Sequence, residues 1–384
     1  MKILHLADTH IGKKVNGYSM VEDQKYILEK VYEIIEAEKV DRVVVAGDVY
    51  DKSIPVVEAV EALNDFLKKL SDMGVKTYII SGNHDSSARL EFGSDLMKNS
   101  GIYIAKKFNG KIEVVHDKDE YGDIDFYLLP FIKPVDVKHY YGESYEPEAF
   151  NSYDSAMKVV MENTSVDESK RNIILSHQFV VGADVSGSED SPVMVGGVDQ
   201  IGKDNYEKFD YVALGHIHRS QKIQENIRYS GTLLKYSFGE ANQTKEVLIV
   251  DMKEKGNIEY KTIPLVPLHD MKEVTGIYDK LTLNEFYMSD DKGFDREDYL
   301  KIVLEDESDI PGALNVLRSI YTNLMELGYK RNNGVSINIT DGAIKAEQKS
   351  PLELVCEFFK KQYNKDLNQD QIKYINEIVE KWED

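Results

Sequence analysis

Short apolar runs alternate with longer segments of helical spacing along the first half of the chain. Three short apolar runs predict buried strands: KILHLA (2–7), the β-branched DRVVVAG (41–47) and VKTYIIS (75–81). Two segments between them carry apolar residues three and four positions apart, as in an amphipathic helix: 26–40 and 56–74. Gly74 is a typical helix end. This alternation predicts an α/β fold with a layered core. Further strands are predicted at YLLP, RNIILSH, DYVALGH and VLIVDM.

The pattern changes near residue 265. Two prolines in PLVPLHDM (264–271) and the acidic stretch SDDKGFDRED (289–298) predict a domain boundary and an exposed connection. Beyond them a small β-α-β unit is predicted from a strand, a helix and a strand: DYLKIVLED (298–306), GALNVLRSIYTNLMELG (312–328) and GVSINIT (334–340). We therefore predict three parts: 1–265, 266–345 and 346–384.

The third part carries two apolar stripes at helical spacing. The first stripe is Leu352, Val355, Phe359 and Tyr363, and the second is Ile372, Ile375, Val379 and Trp382. Asn368 with Gln371 three residues later is typical of a helix start. The sequence thus predicts a helical C-terminal tail, which either binds a partner or packs on its own domain.

The chain has 384 residues, which is long enough for more than one domain. Its composition is that of a globular protein, with 42% hydrophobic and 30% charged residues. We expect no membrane span, and a cytoplasmic location, because no apolar run is long enough and Asp8 and His10 interrupt any signal-peptide core. The single cysteine, Cys356, excludes an intrachain disulfide and a thiolate metal cluster. It is expected to be a small core residue.

The net charge of −21 argues against a protein that coats nucleic acid with its whole surface. It does not exclude a nucleic-acid enzyme. Bound divalent cations would offset part of the charge locally, and a partner could supply a basic surface.

Five predicted strands end in side chains that can bind a metal ion. In chain order these residues are Asp8 and His10, Asp48, Asn83, His177, and His216 and His218. The carboxyl ends of strands are where α/β sheets bind ligands. Carboxylate, amide and imidazole groups without thiolate suit Mn²⁺, Fe or Zn²⁺ better than Ca²⁺. A carboxylate such as Asp48 can bridge two ions, and two ions about 3.5–4 Å apart can activate water and bind a phosphoryl oxygen.

Each motif alone is weak evidence. Gly-Asp after a strand is commonly a turn, and a lone histidine is commonly a core or surface residue. Gly-His-x-His is stronger, because alternate residues of an extended segment place both rings on one face. Together the motifs predict a metal centre.

The order DTH, GD, GNHD, H and GHIH resembles the calcineurin-like metallophosphoesterases, whose fold is a layered β-sandwich flanked by helices. The resemblance implies two ions. One would be bound by Asp8, His10, Asp48 and His218, and the other by Asp48, Asn83, His177 and His216. His84 would be catalytic, stabilising the transition state and helping to protonate the leaving oxygen. Asp85 would either orient His84 or have a capping role.

Longer segments resemble the SbcD family, the bacterial branch of the Mre/SbcD DNA-repair nucleases. They are MKILHLADTHIGK, GDVYD, ISGNHDS, SHQFV, VGGVDQI, FDYVALGHIHRSQ and YSGTLLKYSFGEA. The resemblance implies a Mn²⁺-dependent DNA nuclease that acts by two-metal activated water. It would be an exonuclease on double-stranded ends and an endonuclease on single strands and hairpins.

The same resemblance assigns a role to each part of the chain. Residues 1–265 would be the nuclease domain, 266–345 a DNA-capping domain and 346–384 the element that grips the coiled coil of an SbcC-type ATPase partner. A homodimer within a heterotetramer is also implied. The helix containing YILEKVYEII (26–35) either contributes an interface face or packs into the core.

Some residues beside the motifs have two interpretations. Asp51 stands where the archaeal and eukaryotic branch usually has histidine. It is either catalytic, accepting a hydrogen bond from His84 or a metal-bound water, or a turn residue. Four basic residues could contact DNA phosphates or could simply be solvated: Lys13, Lys14, Arg89 and Arg219.

Two other functions are considered. Another calcineurin-like phosphodiesterase, acting on a phosphoprotein, a nucleotide or a cyclic phosphodiester, would not need the roughly 120 residues after the core. A non-catalytic scaffold of the same fold is expected to have lost ligands, whereas all seven ligand positions and His84 are present.

Overall fold

A computed structural model describes residues 1–184, 199–331, 334–337 and 372, with backbone only at 331 and 334–337. The chain forms two compact units. The first contains Met1–Val15 and Ser19–Lys272, and the second contains Asn16–Tyr18 and the chain from Glu273 onward. Apart from Ile372, the predicted tail and Cys356 lie outside the described residues.

Eighteen strands are found among the described residues. In chain order they are β1 (Lys2–Leu6), β2 (Lys14–Val15), β3 (Tyr18–Ser19), β4 (Arg42–Ala46), β5 (Lys76–Ile80), β6 (Ile102–Ile104), β7 (Glu113–Asp119), β8 (Gly122–Leu129), β9 (Arg171–His177), β10 (Tyr211–Gly215), β11 (Gln221–Gln224), β12 (Ile227–Tyr229), β13 (Glu246–Met252), β14 (Ile258–Pro264), β15 (Met271–Gly276), β16 (Tyr299–Leu304), β17 (Leu324–Arg331) and β18 (Gly334–Ile337).

The helices among the described residues are between one and five turns long. The α-helices are α1 (Val21–Glu38), α2 (Val57–Asp72), α3 (Ser87–Leu90), α4 (Ser94–Met97), α5 (Pro134–Tyr141), α6 (Tyr153–Glu162), α7 (Tyr278–Leu281), α8 (Asn284–Tyr287) and α9 (Ala313–Ile320). Short 3₁₀ helices lie at Lys98–Ser100, Pro147–Phe150, Lys203–Tyr206, Phe238–Glu240 and Asp290–Lys292. No described helix has the length and apolar character needed to cross a membrane.

Two six-stranded sheets form the first unit. The first sheet has the order β14-β13-β1-β4-β5-β6, and β1, β4, β5 and β6 run parallel. The second has the order β11-β12-β10-β9-β8-β7, and its four central strands are parallel. The sequence predicted the strands that end in candidate ligands, but not their division between two sheets.

The two sheets pack face to face. Ile3, Val44 and Ile80 of the first sheet share one buried cluster with Phe126 and Ile173 of the second. Alternate residues of a strand point to opposite faces, so both faces must be covered when the whole run is apolar. The second sheet buries its other face against α5 and α6, within the cluster that contains Val137, Met157 and Val160.

Helices α1 and α2 confirm the predicted amphipathic segments. Ile27, Val31 and Ile35 of α1 are buried. Most exposed positions of α1 carry charge, which favours core packing over an interface role for this helix. Gly74 lies just after α2 and has a φ of 72°. Glycine adopts this left-handed conformation easily and often ends a helix in it, as the sequence predicts here. The layered β-sandwich flanked by helices is therefore confirmed.

The second unit contains a four-stranded sheet of order β15-β16-β17-β18. The β-α-β arrangement of β16, α9 and β17 is present, with β16 and β17 parallel. The predicted helix over 312–328 is wrong in its second half, because α9 ends at Ile320 and β17 begins at Leu324. Leu324, Met325, Leu327 and Tyr329 are all buried. A short apolar run of this kind does not distinguish a buried strand from the continuation of a helix.

Candidate metal centre

The candidate ligands meet where strands of both sheets end. Asp8, Asp48 and Asn83 follow β1, β4 and β5 of the first sheet. His177 ends β9 of the second sheet and His216 follows β10 directly. Parallel neighbouring strands end at one edge, so side chains distant in sequence are brought together. The Asn83 amide oxygen, Oδ1, lies 3.1 Å from Nε2 of His177 and 3.0 Å from Nδ1 of His216.

One group of donors contains Asp8, His10 and His218. Their ligand atoms all lie within 4.8 Å of one another, and all three side chains are buried. The two Nε2 atoms of His10 and His218 are 3.1 Å apart. Two imidazole ligands about 2.1 Å from one ion and at right angles would lie about 3.0 Å apart. The geometry of this group therefore fits a metal ion.

A second group contains Asp8, Asp48 and His177, again within 4.8 Å of one another. Nε2 of His177 lies 3.2 Å from Oδ2 of Asp48. The same Oδ2 lies 3.8 Å from Nε2 of His10. Asp48 belongs to the second group and also approaches His10 of the first, while Asp8 belongs to both groups.

Hydrogen bonds behind two of the rings leave a nitrogen facing the centre. Nδ1 of His177 donates to the Ala46 carbonyl at 2.7 Å. Nδ1 of His218 is 3.4 Å from the Glu240 carboxylate. A carbonyl or carboxylate oxygen can only accept, so Nδ1 carries the proton and the lone pair of the neutral ring is on Nε2. Nε2 is then available to a metal ion, as in many metal sites.

The pKa values of the two buried aspartates are shifted in opposite directions. Burial raises the pKa of Asp8 to about 6, although His177 and His218 oppose this. Burial also disfavours charge on Asp48, but His177, His10 and His84 outweigh it and lower the pKa of Asp48 far below its usual value. The charge of Asp48 adds to the effect of burial on Asp8, whereas three histidines keep Asp48 ionised. A divalent cation would stabilise both carboxylates, which fits the donor set to a metal.

The backbone is strained at the same positions. Six non-glycine residues of the described chain have positive φ, and four of them are candidate ligands: Asp8, His10, Asp48 and His216. This conformation costs free energy for residues with a β-carbon, and it concentrates at functional sites.

Comparisons with known proteins agree with this geometry. A sequence model of the calcineurin-like phosphoesterase family matches residues 1–220, and one named for the type 5 capsule protein repressor C-terminal domain (SbcD_C) matches 267–363. The chain is 33% identical over 331 residues to the SbcD subunit of the SbcCD nuclease from Staphylococcus epidermidis, covering 85% of both chains. The chain belongs to the SbcD family of calcineurin-like phosphoesterases. It is a metal-dependent phosphodiesterase.

Two solved structures share a weaker similarity with this SbcD-family chain. A dimetal phosphatase from Danio rerio is 14% identical and covers 69% of this chain and 99% of its own, with a TM-score of 0.38. A protein from Thermus thermophilus is also 14% identical and covers 68% and 97%, with a TM-score of 0.38. These scores are too low to add to the argument.

His84 lies beside the ligands in this SbcD-family chain. Its ring is edge-on to the His10 ring, with centroids 4.8 Å apart, and Nε2 lies 3.9 Å from Oδ2 of Asp48. Nδ1 donates to the backbone carbonyl of Asp51 at 3.0 Å. The Asp51 carboxylate pairs with Lys13 at 2.8 Å and lies 3.8 Å from Nδ1 of His10. Asp51 therefore contacts His84 through its backbone, a contact that the side-chain chemistry of Asp51 could not have predicted.

The Asp85 carboxylate joins two loops of the site. It accepts hydrogen bonds from the backbone N–H groups of Val49, Tyr50 and Gly82, at 3.0, 2.8 and 2.9 Å. Of the two roles considered for Asp85, these contacts correspond to the capping role. They hold the GNHD loop against the loop that carries Asp48.

The four basic residues considered for DNA binding have different surroundings. Lys13 is paired with Asp51, as above. Lys14 and Arg89 are exposed. Arg219, also exposed, lies 3.8 Å from Asp184, a separation at which an exposed ion pair is weak. Their positions leave both interpretations open.

Sequence reasoning assigned no role to the residues behind the ligands. The Gln24 amide donates to the His10 carbonyl at 2.7 Å and accepts from Gly12 at 2.9 Å, which fixes the first motif. Glu240 and Lys245 lie behind His218. Gln24 lies in the first turn of the amphipathic helix α1. Glu240 lies in the segment YSGTLLKYSFGEA (229–241). Only that segment's similarity to the SbcD family could have drawn attention to Glu240.

Proposed function

We propose that this protein is the Mn²⁺-dependent nuclease component of an SbcCD-type DNA repair complex. It would degrade double-stranded DNA from ends and cut single-stranded and hairpin DNA. The observation that carries the proposal is a pair of donor groups that share Asp8, with Oδ2 of Asp48 3.2 Å from His177 and 3.8 Å from His10. The chain is also similar over most of its length to a named component of the SbcCD nuclease. A cytoplasmic location is proposed with it.

Seven residues are proposed to hold two divalent ions. Asp8, His10, Asp48 and His218 would hold one, and Asp48, Asn83, His177 and His216 the other. When bound, such ions supply an activated water near neutral pH and charge that stabilises the phosphoryl oxygens. The donor set of carboxylate, amide and imidazole suits Mn²⁺, Fe or Zn²⁺. Mn²⁺ is proposed because of the resemblance to the SbcD family.

We propose that His84 is the catalytic acid. Its Nδ1–H donates to the Asp51 carbonyl, which leaves Nε2 pointing toward Asp48. Its side chain is 16% exposed, more than the other two imidazoles paired with Asp48, so it could reach a substrate phosphate. His84 would hold the proton that passes to the leaving oxygen. Asp51 would act by positioning His84 and Lys13.

The proposed partners are DNA and an SbcC-type coiled-coil ATPase. Residues 266–345 would cap DNA, and residues 346–384, where the sequence predicts helices, would bind the coiled coil. For the homodimer within a heterotetramer, exposed apolar side chains around α2 and α4 support an interface: Ile54, Val57, Val60, Phe92 and Leu96. Phe92 is 84% exposed and lines a groove of about 500 Å³, and such surfaces mark interaction sites.

The experiment compares two substrates with one preparation of the full chain. Linear duplex DNA and a small chromogenic phosphodiester are incubated with Mn²⁺, with and without excess chelator. The proposal predicts metal-dependent shortening of the DNA. Cleavage of the small phosphodiester alone would favour another calcineurin-like phosphodiesterase, and no cleavage of either substrate would favour a non-catalytic scaffold.

A further inference from the structure

A buried ion pair lies behind the ring of His218. Glu240 is fully buried and Lys245 is 7% exposed, and Nζ of Lys245 lies 2.5 Å from Oε2 of Glu240. The other carboxylate oxygen, Oε1, is 3.4 Å from Nδ1 of His218. Lys245 also donates to the backbone carbonyl of His218 at 3.0 Å. The pair therefore contacts both the ring and the backbone of one candidate ligand.

The group that accepts a hydrogen bond from Nδ1 of His177 is uncharged. Its Nδ1 donates to the Ala46 carbonyl, which is part of β4. A hydrogen bond to a carboxylate is stronger than one to a neutral carbonyl, and it makes the opposite ring nitrogen a better electron donor. The two histidines thus differ in the group that accepts from Nδ1, which is a carboxylate for His218 and a neutral carbonyl for His177.

A buried ion pair is weak evidence for a role in fold stability. Removing two charges from water is costly, and replacing a buried ion pair by apolar residues of similar volume is often neutral or stabilising. The Glu240 carboxylate lies between two nitrogen atoms, with Oε2 2.5 Å from Nζ of Lys245 and Oε1 3.4 Å from Nδ1 of His218. An ion pair behind His218 affects the orientation of the His218 ring that it contacts.

We propose that Glu240 and Lys245 are positioning residues that set the affinity of the ion bound by His218. They fix its ring orientation and keep the proton on Nδ1, while the ion on the His177 side does not depend on them. This inference rests on the proposed metal centre. Partners of this kind typically contribute about 10- to 100-fold in metal affinity.

The test is Mn²⁺ binding to the full chain, measured by titration calorimetry and by electron paramagnetic resonance. The variants are Glu240→Gln and the double variant Glu240→Gln with Lys245→Met, which leaves no unpaired buried charge. Glu246→Gln is the matched control, because Glu246 belongs to the same segment and accepts a hydrogen bond from Ser220 at 2.9 Å. Thermal unfolding of the metal-free proteins measures any general loss of stability.

We expect the wild type to bind two ions. Both Glu240 variants should lose about 10- to 100-fold in affinity for one ion and keep the other, and Glu246→Gln should match the wild type. If Glu240→Gln does not fold, the Mn²⁺ affinities of the double variant provide the test. Unchanged affinities, or equal weakening of both ions, would overturn the inference. A wild type that binds fewer than two ions would refute the proposed metal centre and the positioning role with it.

Discussion

Gly215 lies directly beside His177, its partner in the parallel pairing of β10 with β9. A β-carbon built at position 215 would fall 2.7 Å from Nδ1 of the imidazole and would overlap the Ala46 carbonyl oxygen that accepts its proton. A β-carbon at Gly47 would overlap the same ring, and one at Gly82 would overlap Asp48. The glycines that precede the ligands in GD, GNHD and GHIH are therefore needed for ligands on neighbouring strands to approach each other.

Gly215→Ala is expected to damage the metal centre. The added methyl group must push His177 away from Ala46, at a cost of about 1–3 kcal/mol in the free energy of unfolding. Mn²⁺ affinity should fall, as measured by titration calorimetry. Gly256→Ala is the control, because its φ of 83° is strained for alanine but nothing lies within 4 Å of the added carbon. Equal Mn²⁺ affinities in the two variants would contradict this explanation.

His84→Gln is expected to remove catalysis and keep the metal. The proposed acid supplies about 10²- to 10⁴-fold in rate, whereas the seven proposed ligands are untouched. DNA cleavage and Mn²⁺ stoichiometry should be measured on the same sample, with thermal unfolding as the check on folding. Full activity of the variant would remove His84 from the proposed mechanism.

Stability at low pH should depend on Asp117. Its carboxylate accepts from Arg42 at 2.6 Å, Lys76 at 2.5 Å and Tyr78 at 2.8 Å. Burial opposes its charge, but these three partners outweigh burial and lower its pKa from 3.8 to about 2. A carboxyl whose pKa is lower in the folded state stabilises the protein above its ordinary pKa. That contribution is lost as the pH falls through about 2.

The measurement is urea unfolding of the wild type and Asp117→Asn between pH 7 and pH 2. The variant should be less stable at pH 7 by about 2 kcal/mol, and the difference should shrink steadily below pH 4. The exposed Asp65 provides a control, since Asp65→Asn should stay within about 0.5 kcal/mol of the wild type throughout. A difference between wild type and Asp117→Asn that is constant with pH would contradict the assignment.

The isolated chain is expected to bind DNA weakly. A net charge of −21 repels the phosphate backbone, so the dissociation constant for linear duplex DNA at physiological salt and without metal should be about 1 μM or weaker. An SbcC-type partner should tighten binding by supplying basic surface. Fluorescence anisotropy with and without that partner measures both values. Nanomolar binding by the isolated chain would contradict this expectation.

The central strands of the first unit could be predicted because they are continuous apolar runs and the motifs stand directly after them. Outer strands such as β7 and β11 are polar and were not predicted. Asp8, Asp48, Asn83 and His177 were placed correctly at strand ends from the sequence alone. Their distribution over two sheets could not be predicted, since apolar patterning does not specify which strands pair. The contacts of Glu240 and Gln24 depend on tertiary packing, which a single sequence does not encode at a recognisable spacing.

The second unit illustrates the limit of periodicity. LMELGY in residues 324–329 continues the apolar spacing of α9, yet the segment is a strand that pairs in parallel with β16. Tyr321 ends the helix in an extended conformation, with φ of −109° and ψ of 94°. Pairing with β16 therefore overrides the local helical pattern, as tertiary context commonly does for short apolar runs.

The most direct test of the central claim is anomalous X-ray scattering from crystals of the full chain grown with Mn²⁺. Two peaks about 3.5–4 Å apart are expected, one beside His10 and His218 and the other beside Asn83 and His177, with Asp48 between them. A single peak, or no peak at this edge of the sheets in a crystal saturated with Mn²⁺, would contradict the proposed two-ion centre.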